Sequence, residues 1–488
     1  MGHTTLTEWS KDIADAVRFK EDSTNPIPRL DIPQRILDLP TGSGGVGQMV
    51  RYSDFLTPQE ESDESVLRCD GRELSPTYTE LYDLLKHGLE IEGLPSRAHN
   101  NIIRSGDKLY IGSTGLSTFI VVVNIKNNTF SSIEGLPNRA HSQFYVVGSK
   151  IYVASQTANI TNMVVINTIN DTFSLIEGLP SRSKQNLELF GHKLFIGTTP
   201  GNTSTNASYI DIRTDMAMLV QGLPNSVYFG YHRVGHLAYV HNSIASTFLI
   251  VINTENDTFM QITNLPSRSY TRSIQYGPEL YAMENNIVAQ SSIVVINLST
   301  HLFFTIDNIV PRTARLGGVF ENKIITAGFP GSTDINIVDG ITHEVTTING
   351  LPSRSYQYFF SHITSRKIYL GTSTDGDTIV IVHPDNGTFS EIIGLPNRQY
   401  RQFHFYENIA FVSSATNGTS LIVINTDNDT FTEISGLPNR AYSELMLLDD
   451  RLYAGGTTVA DSLVFIRDIL LPNYSEPVYI KHQKGQVI

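Results

Sequence analysis

From about residue 90 onward the chain alternates short apolar segments with polar turns, and the alternation is regular. In one stretch, the apolar run 142–147 is followed by the turn Gly148-Ser149-Lys150 and a second apolar run, 151–154. A polar loop, the β-branched run Met163-Val164-Val165-Ile166, a turn over 167–171 and a last segment over 172–177 complete the pattern. Segments this short, rich in Val, Ile, Phe and Tyr and punctuated by Asn, Asp and Gly, predict strands joined by tight turns. None of this region has helical periodicity.

The four-strand pattern repeats. Leu-Pro recurs at Pro95, Pro137, Pro180, Pro224, Pro266, Pro352, Pro396 and Pro438, with Val310-Pro311 filling the one gap; successive prolines lie 41–45 residues apart. Four strands in about 40–45 residues is the arithmetic of a β-propeller blade. Eight complete units run over 97–438, and a further unit begins at Arg440 with three strands. Its fourth strand is expected from the other end of the propeller, where 89–95 (Leu-Glu-Ile-Glu-Gly-Leu-Pro) matches the last strand of a unit. That closure leaves no exposed sheet edge and gives about nine blades; 478–481 competes for the same position. The repeat resembles the Kelch family. Arg440, Leu452-Tyr453-Ala454-Gly455-Gly456 and 463–466 follow that pattern most closely, whereas the Gly-Gly pair survives only there and the usual Trp is Phe130, Phe173, Phe259, Phe389 or Phe431. The resemblance implies architecture and not activity.

The first ninety residues read differently. Leu6, Trp9, Ile13 and Val17 stand at helical spacing. The run Lys11-Asp12-Ile13-Ala14-Asp15-Ala16-Val17-Arg18-Phe19, continuing to Ile27-Pro28 and Ile36, resembles a helical module near the N-termini of phage tail proteins. After a Pro/Gly/Ser linker over 39–46 comes Leu67-Arg68-Cys69-Asp70-Gly71-Arg72-Glu73-Leu74-Ser75, followed by Tyr78, Leu81, Tyr82 and Leu85. This is similar to the phage tail collar domain, with Gly47-Gln48-Met49-Val50 where that domain has its first strand and Val66 where it usually has Trp. The expected organisation is thus a helical attachment module (1–38), a linker (39–46), a small α+β collar-like domain (47–87) and a Kelch-like β-propeller (88–488).

Composition narrows the partners. Of 488 residues 40% are hydrophobic and 17% charged, and the net charge of −13 is concentrated at the N-terminus: residues 1–95 hold 18 acids and 9 bases, the rest 30 and 26. A near-neutral bulk argues against nucleic acid. The single cysteine, Cys69, excludes a disulfide framework and a cysteine-rich zinc site, and reads as a small buried residue. No signal peptide and no membrane-length apolar run is expected, so the partners implied exclude membrane insertion.

Candidate chemistry lies on one face. The loops between second and third strands (113–118, 156–162, 198–207, 242–247, 330–334, 372–377, 414–419 and 457–461) vary in length and are rich in Ser, Thr, Asn and Gly, as an adaptable binding surface is. The same face should carry Arg97, Arg139, Arg182, Arg268, Arg312, Arg354, Arg398 and Arg440, with His99, His141, Tyr228, Tyr270, Tyr356, Tyr400 and Tyr442 two residues on or nearby. Arginine beside flat aromatics suits sugars through bidentate bonds and stacking; the competing reading is that a once-per-unit residue holds neighbouring units together. His232, His236 and His241, Asp375-Gly376-Asp377 and the Asn-x-Ser/Thr triplets at Asn170, Asn256 and Asn428 read as core or turn residues, and no catalytic residue, metal or cofactor is expected. Together these features imply a phage or prophage tail-fibre protein that attaches to the virion by its N-terminus and recognises a host surface glycan by its propeller, with homotrimerisation by analogy. A polysaccharide-degrading propeller and a Kelch-type protein scaffold are the alternatives.

Overall fold

The computed structural model describes residues 89–466 except 199–202, 284–291, 308, 310–314, 328–331 and 449–450, together with the strands Met49–Arg51, Val66–Cys69 and Val478–Lys481. The expected helical module and linker lie outside the described residues. The chain divides into two compact units, Met1–Gly88 with Ile466–Ile488, and Leu89–Phe465.

In the smaller unit Val478–Lys481 is the central strand of a three-stranded sheet, antiparallel to both Met49–Arg51 and Val66–Cys69. The first of those overlaps the first strand expected at 47–50. Residues 478–481 therefore do not close the propeller: both of their backbone edges are taken by strands that precede it in the chain. The expected boundary 88–488 is corrected accordingly, because 466–488 groups with the N-terminal residues. The larger unit is inserted between two strands of one small sheet.

The larger unit is a mainly β propeller, and among the described residues it has no helix. Its strands form eight hydrogen-bonded sheets, where the repeat count predicts nine separate ones. The difference arises at the ring's seam. The strand Leu89–Ser105 changes partner along its length: Leu89↔Phe465 through Glu92↔Ser462 complete the last unit, and Asn100↔Gly112 through Ser105↔Lys108 begin the first. One strand thus joins two ladders into a five-stranded sheet, and the ring closes on residues 89–92 as their similarity to other fourth strands requires.

The core lies between units. Tyr110, Ile120 and Val122 of one unit pack on Ile151, Val153, Val164 and Ile166 of the next, and comparable apolar clusters recur around the ring. Packing of flat sheet faces does not set the angle between units; polar latches at one end do. Asp171, in the turn between third and fourth strands, accepts hydrogen bonds from Lys108 Nζ (2.6 Å) and Tyr110 Oη (2.7 Å) of the preceding unit. Asp215 does the same for Lys150 (2.5 Å) and Tyr152 (2.8 Å), Asp257 for Lys193 (2.7 Å) and Tyr209 (2.8 Å), and Asp429 for Lys367 and Tyr369. All four aspartates sit at positive φ, which Asp tolerates better than most residues. The Asn-x-Thr triplets build the same turns: the Oδ1 atoms of Asn170, Asn256 and Asn428 accept from the Thr hydroxyl and amide two residues on.

Replacing Asp257 by Ala strands the Lys193 ammonium, which is almost wholly buried, and the Tyr209 hydroxyl. Leaving buried donors unpaired costs about 2 kcal/mol. Denaturant unfolding of Asp257→Ala should show that loss, and unchanged stability would contradict the latch.

Candidate functional site

The expected ligand ring is the first place to look, and the structure gives its arginines another role. The segment carrying each one passes between two units. Its backbone pairs with the loop of the unit it leaves: Arg97↔Ala460, Arg139↔Ser117, Arg268↔Ser246, Arg398↔Gly376 and Arg440↔Gly418. Its guanidinium reaches over the unit it enters and donates to the start of that unit's third strand. Arg97 bonds Ser117 Oγ (2.8 Å), the Phe119 carbonyl (2.9 Å) and the Ile111 carbonyl (2.9 Å). Arg139 bonds Asn162, Arg182 bonds Asn206 and Ser208, Arg268 bonds Ser292, Arg354 bonds Thr378 and Asp377, Arg398 bonds Ser420, and Arg440 bonds Ser462. A Cβ on Gly418 would run into the Arg398 guanidinium, so the close seat also explains that glycine.

The aromatic partners are equally occupied. Tyr270, Tyr356 and Tyr442 donate their hydroxyls to the carbonyls of Pro266 (2.6 Å), Pro352 (2.7 Å) and Pro438 (2.5 Å), four residues back, and Tyr228 and Tyr400 do so to Pro224 and Pro396. All five tyrosines are buried. The residues expected to contact a ligand, Arg97, Arg139, Arg182, Arg268, Arg354, Arg398, Arg440, Tyr270, Tyr356, Tyr400 and Tyr442, are instead engaged within the protein: their hydrogen bonds make them staples between units, and all but the half-buried Arg354 are buried. Arg312 lies outside the described residues. The loops expected to vary freely are pinned by the same ladders, and Asp375 and Asp377 accept from Thr416 and Arg354.

Two units place histidine, one lysine and one alanine (Ala314) where the other five have tyrosine. His99 and His141 hydrogen-bond the carbonyls of Ala460 (3.0 Å) and Ser117 (3.1 Å), which requires the Nε2–H tautomer. Burial first, and then the neighbouring Arg97 or Arg139, pulls each imidazole down to about 4. Lys184, absent from the expected site, gives its ammonium to the carbonyls of Ile160 (2.6 Å), Pro180 (2.7 Å) and Arg182 (2.6 Å), while burial and Arg182 pull it down to about 7. It was hidden because a lysine does not resemble the tyrosine whose place it takes.

What remains open is the axis. A cavity of about 760 Å³ is lined by first strands from several units around the ring, among them Asn101, Gln143, Asn186, Glu188, Arg272 and Glu444. Here the repeat breaks down. At the position three residues after the Tyr/His stand Ile102, Phe144, Leu187, Tyr231 and Ser273, and at the preceding position Asn101, Gln143, Asn186, Gly230, Arg272 and Glu444. Asn101 and Asn186 sit at positive φ beside bulges in their strands. His241 occupies the place of Gly112, Gly197 and Gly371, and its Nε2 lies 2.8 Å from Ser273 Oγ. Its ring is 6.5 Å from that of His232, and among the described residues no group of three His, Cys, Asp or Glu side chains is placed to hold a metal. Desolvation alone raises Glu444 to about 6. Sequence reasoning missed these residues; the available signal was their failure to repeat.

No family model and no curated protein sequence matches this chain. Among solved structures, dihydro-heme d1 dehydrogenase NirN in complex with DHE is similar with a TM-score of 0.51 at 14% identity, covering 76% of this chain and 81% of that one. The computationally designed Ika8 protein gives 0.47 at 11% identity over 78% of this chain and all of its own, and Citrobacter koseri AztD gives 0.44 at 13% over 68% and 96%. At such identities the likeness to NirN speaks for the fold alone.

The buried histidines make acid sensitivity predictable. With a folded pKa of about 4 against 6.5 ordinarily, the unfolded chain binds more protons between those values, so stability falls as pH drops through that window and levels off below it. A shift of this size is worth roughly 3 kcal/mol per histidine. Replacing His99 and His141 by Tyr, the residue of five other units, should shrink the stability lost between pH 7 and pH 4 in denaturant titrations; an undiminished loss would contradict the assignment.

Proposed function

We propose that this chain is a phage or prophage tail-fibre-type receptor-binding protein, carried on the virion by its small unit and presenting its propeller to a host surface glycan. We count the five-stranded sheet as two blades, one on each half of Leu89–Ser105, which makes a ring of nine. The tail-collar and Kelch readings rest on the motifs quoted above, and assembly as a homotrimer on analogy with tail fibres.

The observation that carries the recognition reading is the division of labour in the ring. Side chains that repeat are consumed in holding units together, whereas those that vary from unit to unit line the axial cavity. Amides, hydroxyls, carboxylates and the partly buried aromatic rings of Phe144 and Tyr145 supply what a sugar needs, directional hydrogen bonds and flat apolar surfaces. A tether at both ends also suits presentation: Leu89 and Phe465, where the chain enters and leaves the ring, are paired neighbours.

A second reading, hydrolysis of the bound polymer, is favoured by the Ser273–His241 contact at the cavity wall, a nucleophile and a base in hydrogen-bond reach. Burial pulls His241 down to about 3, which makes it a weak base.

The test is to label the full-length protein and titrate it onto a panel of bacteria and their isolated surface polysaccharides. Saturable, strain-restricted binding is expected, with no loss of polymer viscosity over time. Absence of binding to every cell would move the role to a structural virion component, and a falling viscosity would establish the hydrolase.

A further inference from the structure

The charged groups on the cavity wall are distributed in a way the staples do not explain. Arg272 stands on the first strand of the fifth repeat and Glu444 on that of the ninth, so they face the axis from opposite parts of the ring. Among the described residues neither has a hydrogen-bond or ion-pair partner. Of the other titratable groups near the wall, His241 is bonded to Ser273, and Glu188 is raised by burial that the charge of Arg233 offsets only in part. Glu444 has only desolvation acting on it, with no cation to offset its burial. An uncompensated, half-buried carboxylate is costly to maintain. Arg272 stands exposed on the same wall, and its guanidinium fork matches the geometry of a carboxylate or phosphate.

We infer that the axial cavity takes a saccharide carrying both an ammonium and an anionic group, the amine seated at Glu444 and the acid at Arg272. This rests on the receptor-binding reading above and narrows it to zwitterionic glycans. The two walls discriminate independently. A neutral sugar leaves both charges unpaired, a uronic acid leaves Glu444 unpaired and repels it, and an amino sugar leaves Arg272 unpaired. Tyr145, also on the wall and only partly buried, offers its ring to the ammonium or to the apolar side of a pyranose. No covalent step is involved.

Four disaccharides separate these contributions by calorimetric titration of the full chain: glucuronyl-glucosamine, glucuronyl-N-acetylglucosamine, chitobiose with free amines, and N,N′-diacetylchitobiose. A hydrogen bond to a charged group contributes enough for roughly tenfold in affinity or more. The zwitterion is expected to bind about tenfold tighter than either singly charged sugar and about a hundredfold tighter than the neutral one. Arg272→Gln should erase the preference for the acid and Glu444→Gln that for the amine. Neither should lower the melting temperature, because neither side chain is bonded within the fold, and Glu444→Gln, which removes an uncompensated half-buried charge, should raise it if anything. Equal affinity for all four sugars, or binding of none, overturns the inference. If host cells still bind and both variants bind them undiminished, the inference fails while the receptor reading stands. If the wild-type protein binds no cell and no polysaccharide, it is the receptor reading that fails.

Discussion

The arginine that follows every Leu-Pro except Leu223-Pro224, where Ser226 stands, sits on a segment whose backbone belongs to one unit's ladder and whose guanidinium belongs to the next. Everything else in the ring depends on that crossing. Flat β faces can slide and rotate against one another at little cost, but a guanidinium donating to fixed carbonyls at 2.6–2.9 Å, as Arg354, Arg398 and Arg97 do, admits one arrangement. The Tyr-to-Pro bond four residues back holds the crossing segment in shape, and the Asp–Lys–Tyr latch fixes the opposite end of the unit interface. With both ends held, the first strands carry less of that duty at the axis, where Gln143 and Asn186 still link neighbouring units but Arg272 and Glu444 do not, and that freedom is what allows their side chains to differ.

The substitutions within the staple follow the same physics. Histidine, lysine and tyrosine share the position because each can deliver an N–H or O–H to a backbone carbonyl about the same distance away. They differ in what burial does to them. Tyrosine stays neutral, histidine is held neutral at the cost of acid sensitivity, and Lys184 needs three carbonyls around its ammonium. The seam obeys a different rule, since the first unit has Asn128 where four other units have aspartate and Arg451 reaches the Ile125 carbonyl (2.5 Å) instead. Closure there is carried by the backbone pairing of 89–92 with 462–465.

Much of this was legible in the chain. Period, strand number, turn chemistry and the closing strand all follow from local pattern, because Leu-Pro markers, β-branched runs and Asn-x-Thr turns act within a few residues. Two features were not. The strand 478–481 pairs with residues more than 400 positions earlier, and its sequence resembles a closing strand as well as a domain strand. The arginines offered both a ligand ring and a staple, and only their burial separates the two. The eye is drawn to what repeats, yet in a ring of repeats the positions left for recognition are those that do not, such as Arg272, His241 and Glu444.

The central claim is that repeating residues hold the ring and non-repeating ones do the recognising. The most direct measurement compares Arg398→Lys with the double variant Arg272→Gln/Glu444→Gln for melting temperature and for affinity toward host polysaccharide at a temperature where all are folded. The account predicts that Arg398→Lys melts several degrees lower with its affinity intact, and that the double variant melts no lower than the wild type and binds far more weakly. A stable Arg398→Lys protein that no longer binds, beside a double variant that still does, would contradict it.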